Sequence, residues 1–190
     1  MPEWTIVVPV KGTASAKSRL GGSPELALAI ALDTVAAALE VAPVIVVTPL
    51  AEPFVALGAT VVADGRSGLS AAIRQGVNAA GDGAVAVLLG DLPAMHPAEL
   101  GAALAAAGRH PLAFVPDADG TGTVLITALR AADHAPAFGP GSAALHRAAG
   151  YVELDVPVSA GLRRDVDTPA DLAALGDRLG ERTRSSSVES

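Results

Sequence analysis

The chain has 190 residues, and its 51% hydrophobic, 3% aromatic and 17% charged residues are typical of one globular domain. The formal net charge of −7 argues against binding along a nucleic-acid backbone, because such binding depends on spread positive charge. The absence of cysteine excludes disulfides, thiolate metal sites and cysteine nucleophiles.

The sequence also argues against a membrane protein. No apolar run approaches the roughly 20 residues that a membrane-spanning helix requires. Residues 1–10 include a short apolar run, but no basic segment precedes it and no small-residue cleavage site follows it, as a signal peptide would require. We therefore predict a cytoplasmic protein that contacts neither membrane nor nucleic acid.

Predicted strands and helices alternate along the chain. The strands are predicted at residues 4–10, 44–48, 60–63, 84–89, 111–116, 123–127, 151–154 and 162–166, and the helices at 24–41, 53–57, 69–80, 97–107, after 142 and from 169. Ser23 before Pro24, and Thr168 with Asp171, have the pattern of helix N-caps. The alternation predicts a single α/β domain, a three-layer sandwich around a mostly parallel, twisted sheet.

The last ten residues differ in composition from the rest of the chain. Residues 181–190 are polar and lack a capping residue, so we predict one domain over 1–179 and a flexible tail over 180–190. In a doubly wound sheet, ligands bind beyond the carboxyl ends of the strands, and the candidate site residues are sought there.

A basic loop follows the first predicted strand. Lys11, Lys17 and Arg19 lie within nine residues, among small residues that would let backbone N–H groups approach a ligand. Such a loop can hold a polyphosphate, although it is not a Walker P-loop, since Ala16 stands where the second glycine is required. Taken alone, a short basic cluster is more often a solvated turn, so the phosphate site is favoured only by the other candidate residues.

Two acidic segments are candidates for a metal site. Asp91 follows the strand predicted at 84–89 after a single residue, Gly90, and Asp165 and Asp167 are two residues apart, which would place them on one side of an extended segment. Carboxylates that lie together repel one another unless a cation separates them, and Mg²⁺ prefers oxygen ligands. The alternatives are a turn cap at Asp91, an ion pair between Asp165 and a neighbouring arginine, and a place for Asp167 in the cap of the helix that follows.

Two glycine-rich loops are candidates for binding a small anion. They are residues 120–123 (GTGT) and 138–142 (FGPGS), whose hydroxyls and bare amides suit a phosphate or carboxylate. The first is not a dinucleotide fingerprint, because Leu125 replaces the third glycine. Ordinary turns explain both loops equally well. The four histidines show no metal-ligand spacing, so we treat them as surface or packing residues.

Six motifs in this order resemble one family, the guanylyltransferases of coenzyme F420 biosynthesis, which use 2-phospho-L-lactate or phosphoenolpyruvate. They are PVKGTASAKSRL (9–20), GLSAAIRQG (68–76), GDLPAM (90–95), GTGTVL (120–125), FGPGSAALHRAAG (138–150) and RRDVDTPADL (163–172). The resemblance covers about residues 4–176. It implies a nucleotide-diphospho-sugar-transferase-like fold and transfer of GMP from GTP to the acid, with release of pyrophosphate. The alanine-rich sequence resembles the branch that uses phosphoenolpyruvate.

The resemblance also implies roles for individual residues. It implies Mg²⁺ held by Asp91, Asp165 and Asp167, GTP phosphates along Lys11, Lys17 and Arg19, the base near Leu69 and Ser70, and acceptor contacts at Thr123, Gly139 and Ser142. Family members usually have asparagine where this chain has Ser70. The product would pass to a downstream enzyme that transfers a deazaflavin.

The expected reaction has two rivals. A molybdopterin or sugar-phosphate nucleotidyltransferase has the same fold, and a non-catalytic nucleotide-binding domain would retain the fold without the chemistry. The expected attacking group is the acceptor's phosphate, which is already an anion at neutral pH. No general base is therefore required, in agreement with the absence of a well-placed histidine.

Overall fold

A computed structural model describes residues 2–10, 23–65 and 68–188 of the chain. The three predicted phosphate-binding cations, Lys11, Lys17 and Arg19, lie outside these ranges. No helix within the described residues has the length and apolar character needed to cross a membrane.

Seven strands of the described ranges form one sheet. They are β1 (Trp4–Pro9), β2 (Val44–Thr48), β3 (Thr60–Ala63), β4 (Ala84–Leu88), β5 (Leu112–Pro116), β6 (Thr123–Ala128) and β7 (Val152–Glu153). Their order in the sheet is β3-β2-β1-β4-β6-β5-β7. Strand β6 runs antiparallel to its neighbours β4 and β5, and the other neighbouring pairs are parallel. The predicted mostly parallel α/β sheet is confirmed.

Helices cover both faces of this sheet, as the alternating side chains of β1 illustrate. The helices are α1 (Pro24–Leu39), α2 (Glu52–Ala56), α3 (Leu69–Ala80), α4 (Pro97–Ala107), α5 (Ser142–Ala148), α6 (Pro169–Leu175) and α7 (Glu181–Val188). Ile6 and Val8 belong to a core that includes residues of α1 and α4. Val7 points to the other side, into a core with residues of α3 and α5. The three-layer arrangement follows from this alternation.

Local capping signals in the sequence predicted helix starts correctly. The Ser23 hydroxyl accepts a hydrogen bond from the backbone N–H of Leu26, and Pro24 occupies the first turn of α1. Thr168 and Asp171 form a reciprocal capping box at the start of α6, so the assignment of Asp171 to the cap is confirmed.

The strand predicted at residues 162–166 is wrong. Gly161–Arg163 forms a single 3₁₀ turn instead. The carboxylate of Glu99 accepts the backbone N–H groups of Gly161 and Leu162, each at 3.1 Å. A side chain 62 residues away in sequence thus satisfies the donors that a neighbouring strand would otherwise have paired.

The flexible tail predicted over 180–190 is also wrong for residues 181–188, which form α7. The buried carboxylate of Asp33 in α1 accepts the backbone N–H groups of Arg182 at 3.3 Å and Thr183 at 2.8 Å. Asp33 also contacts the Arg182 guanidinium at 3.3 Å. The missing capping residue is therefore supplied by another helix, a partner that local sequence cannot reveal.

We expect Asp33→Ala to release α7 from α1. The substitution leaves two helix N–H groups without their acceptor, and we expect it to lower the free energy of unfolding by about 1–3 kcal/mol. Under native conditions, trypsin should cleave after Arg182 and Arg184 faster in Asp33→Ala than in the wild type. Mass spectrometry of the products measures the two rates. Asp177→Ala, at an exposed position nearby, is the control. An unchanged cleavage rate in Asp33→Ala would contradict this account.

Candidate functional site

A cavity of about 670 Å³ opens at the carboxyl edge of the sheet. The ends of β1 and β4 reach it, and β6, which runs in the opposite direction, reaches it with its first residue, Thr123. One face of α1 and the loop before α5 complete the lining. This is the edge at which ligands bind in open α/β sheets.

The cavity brings together most of the residues predicted from the sequence. Its lining includes Leu69, Asp91, Thr123, Gly139, Ser142, Asp165 and Asp167. Ser70 is not part of the lining. Residues separated by up to 98 positions in sequence, from Leu69 to Asp167, therefore line one cavity.

The two acidic segments are in direct contact through their backbones. The N–H of Val166, which lies between Asp165 and Asp167, donates to the carbonyl oxygen of Asp91 at 3.0 Å. Gly161 packs against the carbonyl of Ala94 so closely that a Cβ at this position would collide with it. This close contact explains the glycine and sets the segment 161–167 against the turn that follows β4.

The turn after β4 is also held from its other side. The backbone N–H of Leu92 donates to the buried hydroxyl of Thr34 in α1 at 3.0 Å, and that hydroxyl in turn donates to the carbonyl of Ile30. The carbonyl of Pro93 accepts the N–H of Gly180 at 2.8 Å. The backbone of Asp91 and of the two residues that follow it is thus held by groups from distant parts of the chain.

The arginines beside Asp165 bind backbone carbonyls. The guanidinium of Arg163, which is 9% exposed, donates to the carbonyl of Asp117 at 2.6 and 3.1 Å and to that of Val156 at 2.9 Å. Arg164 donates to the carbonyl of Val158. These bonds disfavour the alternative in which Asp165 is paired with a neighbouring arginine.

Asp165 is half-buried, and its carboxyl group has a raised pKa. Burial, followed by the negative charges of Asp117, Asp167 and Asp171, raises the pKa of Asp165 from 3.8 to about 6, against a lowering hydrogen bond from its own backbone. The ionised carboxylate is therefore costly without a nearby positive charge. Within the described residues, no three acidic or histidine side chains already enclose a metal position.

Asp117 is a residue of the cavity that the sequence reasoning missed. Its carboxylate accepts the backbone N–H groups of Thr121 at 3.0 Å and Gly122 at 2.8 Å, which shapes the loop before Thr123. Asp117 directly follows strand β5 and precedes a glycine-rich turn. The rule that identified Asp91, an acid at the carboxyl end of a strand, would have found it.

The cavity lining also contains the residues predicted to bind an acceptor. Thr123 and Ser142 are buried, at 3% and 1% exposure, and both line the space. Gly139 and Gly141 have φ angles of +135° and +73°, in the region that favours glycine, so the loop shape depends on them. The four described histidines lie outside the cavity lining, as expected of packing residues.

Comparison of the sequence with known proteins identifies a family and close relatives. Residues 16–153 match the family described as the MobA-like NTP transferase domain. A phosphoenolpyruvate guanylyltransferase from Streptomyces coelicolor is 51% identical over 199 residues, covering 95% of this chain and 94% of the relative. A second, from Streptomyces scabiei, is 48% identical over 203 residues, with the same coverage of each chain.

Solved structures confirm the predicted fold. A nucleotidyl transferase from Methanothermobacter superposes with a TM-score of 0.66 at 23% identity, over 96% of this chain and 99% of that chain. At such low identity, the likeness concerns the fold. Taken with the sequence relatives, it leads to one assignment: the chain belongs to the MobA-like NTP transferase domain family and, within it, to the phosphoenolpyruvate guanylyltransferases.

Proposed function

We propose that this protein transfers GMP from GTP to phosphoenolpyruvate and releases pyrophosphate. Relatives that are 44–51% identical carry the name of this activity. The supporting structural observation is the hydrogen bond that places Asp91 beside the segment of Asp165 and Asp167, in one cavity with Thr123 and Ser142. In this proposal 2-phospho-L-lactate is the alternative acceptor, and the product serves a deazaflavin-transferring enzyme of coenzyme F420 biosynthesis.

The reaction needs positioning and charge neutralisation more than proton transfer. An oxygen of the acceptor's phosphate attacks the α-phosphorus of GTP, a new P–O bond forms, and the bond to the departing pyrophosphate breaks with its electron pair. Since the attacking phosphate is already ionised, no side chain has to remove a proton. Thr123 and Ser142 bind the acceptor, and Lys11, Lys17 and Arg19 offset the charge of the GTP phosphates.

The acidic residues of the cavity fit a divalent cation such as Mg²⁺. Burial and the nearby like charges of Asp117 and Asp167 raise the pKa of Asp165, so a cation beside it would favour its ionised form. Mg²⁺ binds through one or two carboxylates and completes its coordination with water and phosphate oxygens, so a cage made only of protein is not required. We propose that Mg²⁺ would draw its one or two carboxylate ligands from Asp91, Asp165 and Asp167, and that it would neutralise charge on the transferred guanylyl group.

A pyrophosphate-release assay tests the reaction. GTP, ATP, CTP and UTP are each combined with phosphoenolpyruvate, with 2-phospho-L-lactate and with no acceptor, in the presence of Mg²⁺. We expect release with GTP and phosphoenolpyruvate. Preference for CTP with a sugar phosphate would identify a related nucleotidyltransferase. Tight GTP binding without release from any acceptor would identify a non-catalytic domain, and either result would overturn the proposal.

Asp91→Asn tests the metal assignment. The substitution keeps the size of the side chain and removes its charge, and we expect kcat to fall by about 10²–10³. Asp155→Asn, at an exposed position outside the cavity, is the control and should retain wild-type turnover. If Asp91→Asn kept near-normal turnover with Mg²⁺, Asp91 would be excluded as a metal ligand.

Asp165→Asn should stabilise the protein while it impairs catalysis. Because the folded-state pKa lies near 6 and the ordinary value is 3.8, the folded protein retains a proton between these values that the unfolded chain loses. The cost of ionised Asp165 therefore grows as pH rises from about 4 to about 6, and it is complete above about 6.

Urea denaturation at several pH values measures this effect. We expect Asp165→Asn to be more stable than the wild type at pH 7.5, with a gain that shrinks towards pH 4. The melting temperature of the wild type should also rise more on addition of Mg²⁺ and GTP than that of the variant, with Asp155→Asn as the control. If the difference in stability between Asp165→Asn and the wild type stayed constant with pH, the raised pKa of Asp165 would be contradicted.

A further inference from the structure

A histidine that the mechanism does not use is bonded to the acceptor part of the cavity. His146 of α5 has no solvent exposure. Its Nδ1 atom lies 2.9 Å from the hydroxyl oxygen of Thr123, and its Nε2 atom lies 3.1 Å from the backbone nitrogen of Ala137. The ring therefore joins the first residue of β6 to the loop that carries Gly139.

These two contacts determine which nitrogen carries the proton. A backbone amide can only donate, so Nε2 must accept the N–H of Ala137. Burial lowers the pKa of His146 to about 4, and the ring is neutral at physiological pH. A neutral imidazole has one N–H, and here that proton resides on Nδ1. The Nδ1–H group consequently donates to the Thr123 hydroxyl oxygen.

The proton position of His146 decides what Thr123 can offer to a ligand. The Thr123 hydroxyl accepts from Nδ1–H and cannot donate back to it, so its own proton is directed elsewhere. Among the described residues, no other hydrogen bond of this hydroxyl is found. Because Thr123 lines the cavity, its O–H is available as a donor to an oxygen atom within that space.

We propose that His146 is a positioning residue that holds the Thr123 hydroxyl as a hydrogen-bond donor towards a carboxylate or phosphate oxygen of the acceptor acid. The identity of the acid rests on the proposed function. The ring is fixed in place by aromatic neighbours, with centroids 5.5 Å from Phe138 and 5.2 Å from Tyr151 in edge-on packing. Phe138 itself lines the cavity, beside Gly139.

The matched substitutions separate donation to Thr123 from packing. His146→Asn places an amide N–H near the position of Nδ1 and can still donate to Thr123, whereas His146→Leu fills similar space without a donor. We expect His146→Leu to raise the KM for the acid about tenfold, as for the loss of one buried hydrogen bond, and to leave the KM for GTP unchanged. His146→Asn should stay within about threefold of the wild type.

A double-mutant cycle tests whether His146 acts through Thr123. Thr123→Val should also raise the KM for the acid about tenfold, and the double variant Thr123→Val with His146→Leu should be no worse than either single variant. If the two substitutions acted independently, the KM for the acid would rise about 100-fold in the double variant, and this result would overturn the proposal. An equal rise in the KM for GTP, or a His146→Asn variant no better than His146→Leu, would also overturn it.

His134 provides the control position. It is a second histidine near Tyr151, and its ring contacts the Tyr151 hydroxyl at 3.3 Å and the carbonyl of Val85 at 2.9 Å. Neither partner lines the cavity. His134→Asn should leave the KM for the acid unchanged, and comparable melting temperatures would show that the variants remain folded. A KM rise equal to that of His146→Leu would assign the effect to packing.

Nitrogen NMR tests the arrangement without any enzymatic reaction. In the ¹⁵N-labelled wild-type protein at pH 7, long-range proton–nitrogen spectra should show His146 as the neutral tautomer protonated at Nδ1. In Thr123→Val the Nδ1 resonance should shift while Nε2 stays nearly constant. An Nε2-protonated or fully protonated ring would overturn the inference. If the tautomer is as expected but no pyrophosphate is released, the proposed function fails separately.

Discussion

The hydrogen bond from the Val166 N–H to the carbonyl of Asp91 is the interaction on which the site depends. It joins the turn after a central strand to a segment that belongs to no strand, and Asp91, Asp165 and Asp167 all line the same cavity. The bond is supported by the close approach of Gly161 to Ala94 and by the Glu99 carboxylate, which binds the N–H groups of Gly161 and Leu162.

The cavity lining combines two kinds of side chain. Burial, together with the negative charges of Asp117, Asp167 and Asp171, raises the pKa of Asp165. Thr123 and Ser142 add hydroxyl-bearing side chains at buried positions beside a glycine-rich loop. Carboxylates and neutral hydroxyls therefore belong to the lining of one cavity.

Sequence reasoning succeeded where the determining signal is local. The sequence located Asp91 at the cavity edge because it closely follows a buried strand, and it located the starts of α1 and α6 from capping residues within four positions. The topology rule for parallel sheets then predicted that these residues share one edge. The site residues outside the described ranges, Lys11, Lys17 and Arg19, stay predictions.

Three features that the sequence did not predict depend on a partner residue that is distant in sequence. Glu99 binds a backbone N–H group of the 3₁₀ turn that stands where a strand at 162–166 was expected. Asp33 binds a backbone N–H group of α7, where a tail was expected. The bond of His146 to Thr123 spans 23 residues, so a local pattern identified the histidine only as a packing residue. Asp117 differs, since its position after β5 was readable and was overlooked.

The long separation of these partners has a consequence for biosynthesis. Asp33 in α1 binds the backbone of Thr183, 150 residues further along the chain, and Asp91 receives its hydrogen bond from Val166. During translation, the central strands can pair early, whereas both of these closures wait until the ribosome has released the later segment. A nascent chain can thus pair most of its strands before Val166 is available to complete the cavity beside Asp91.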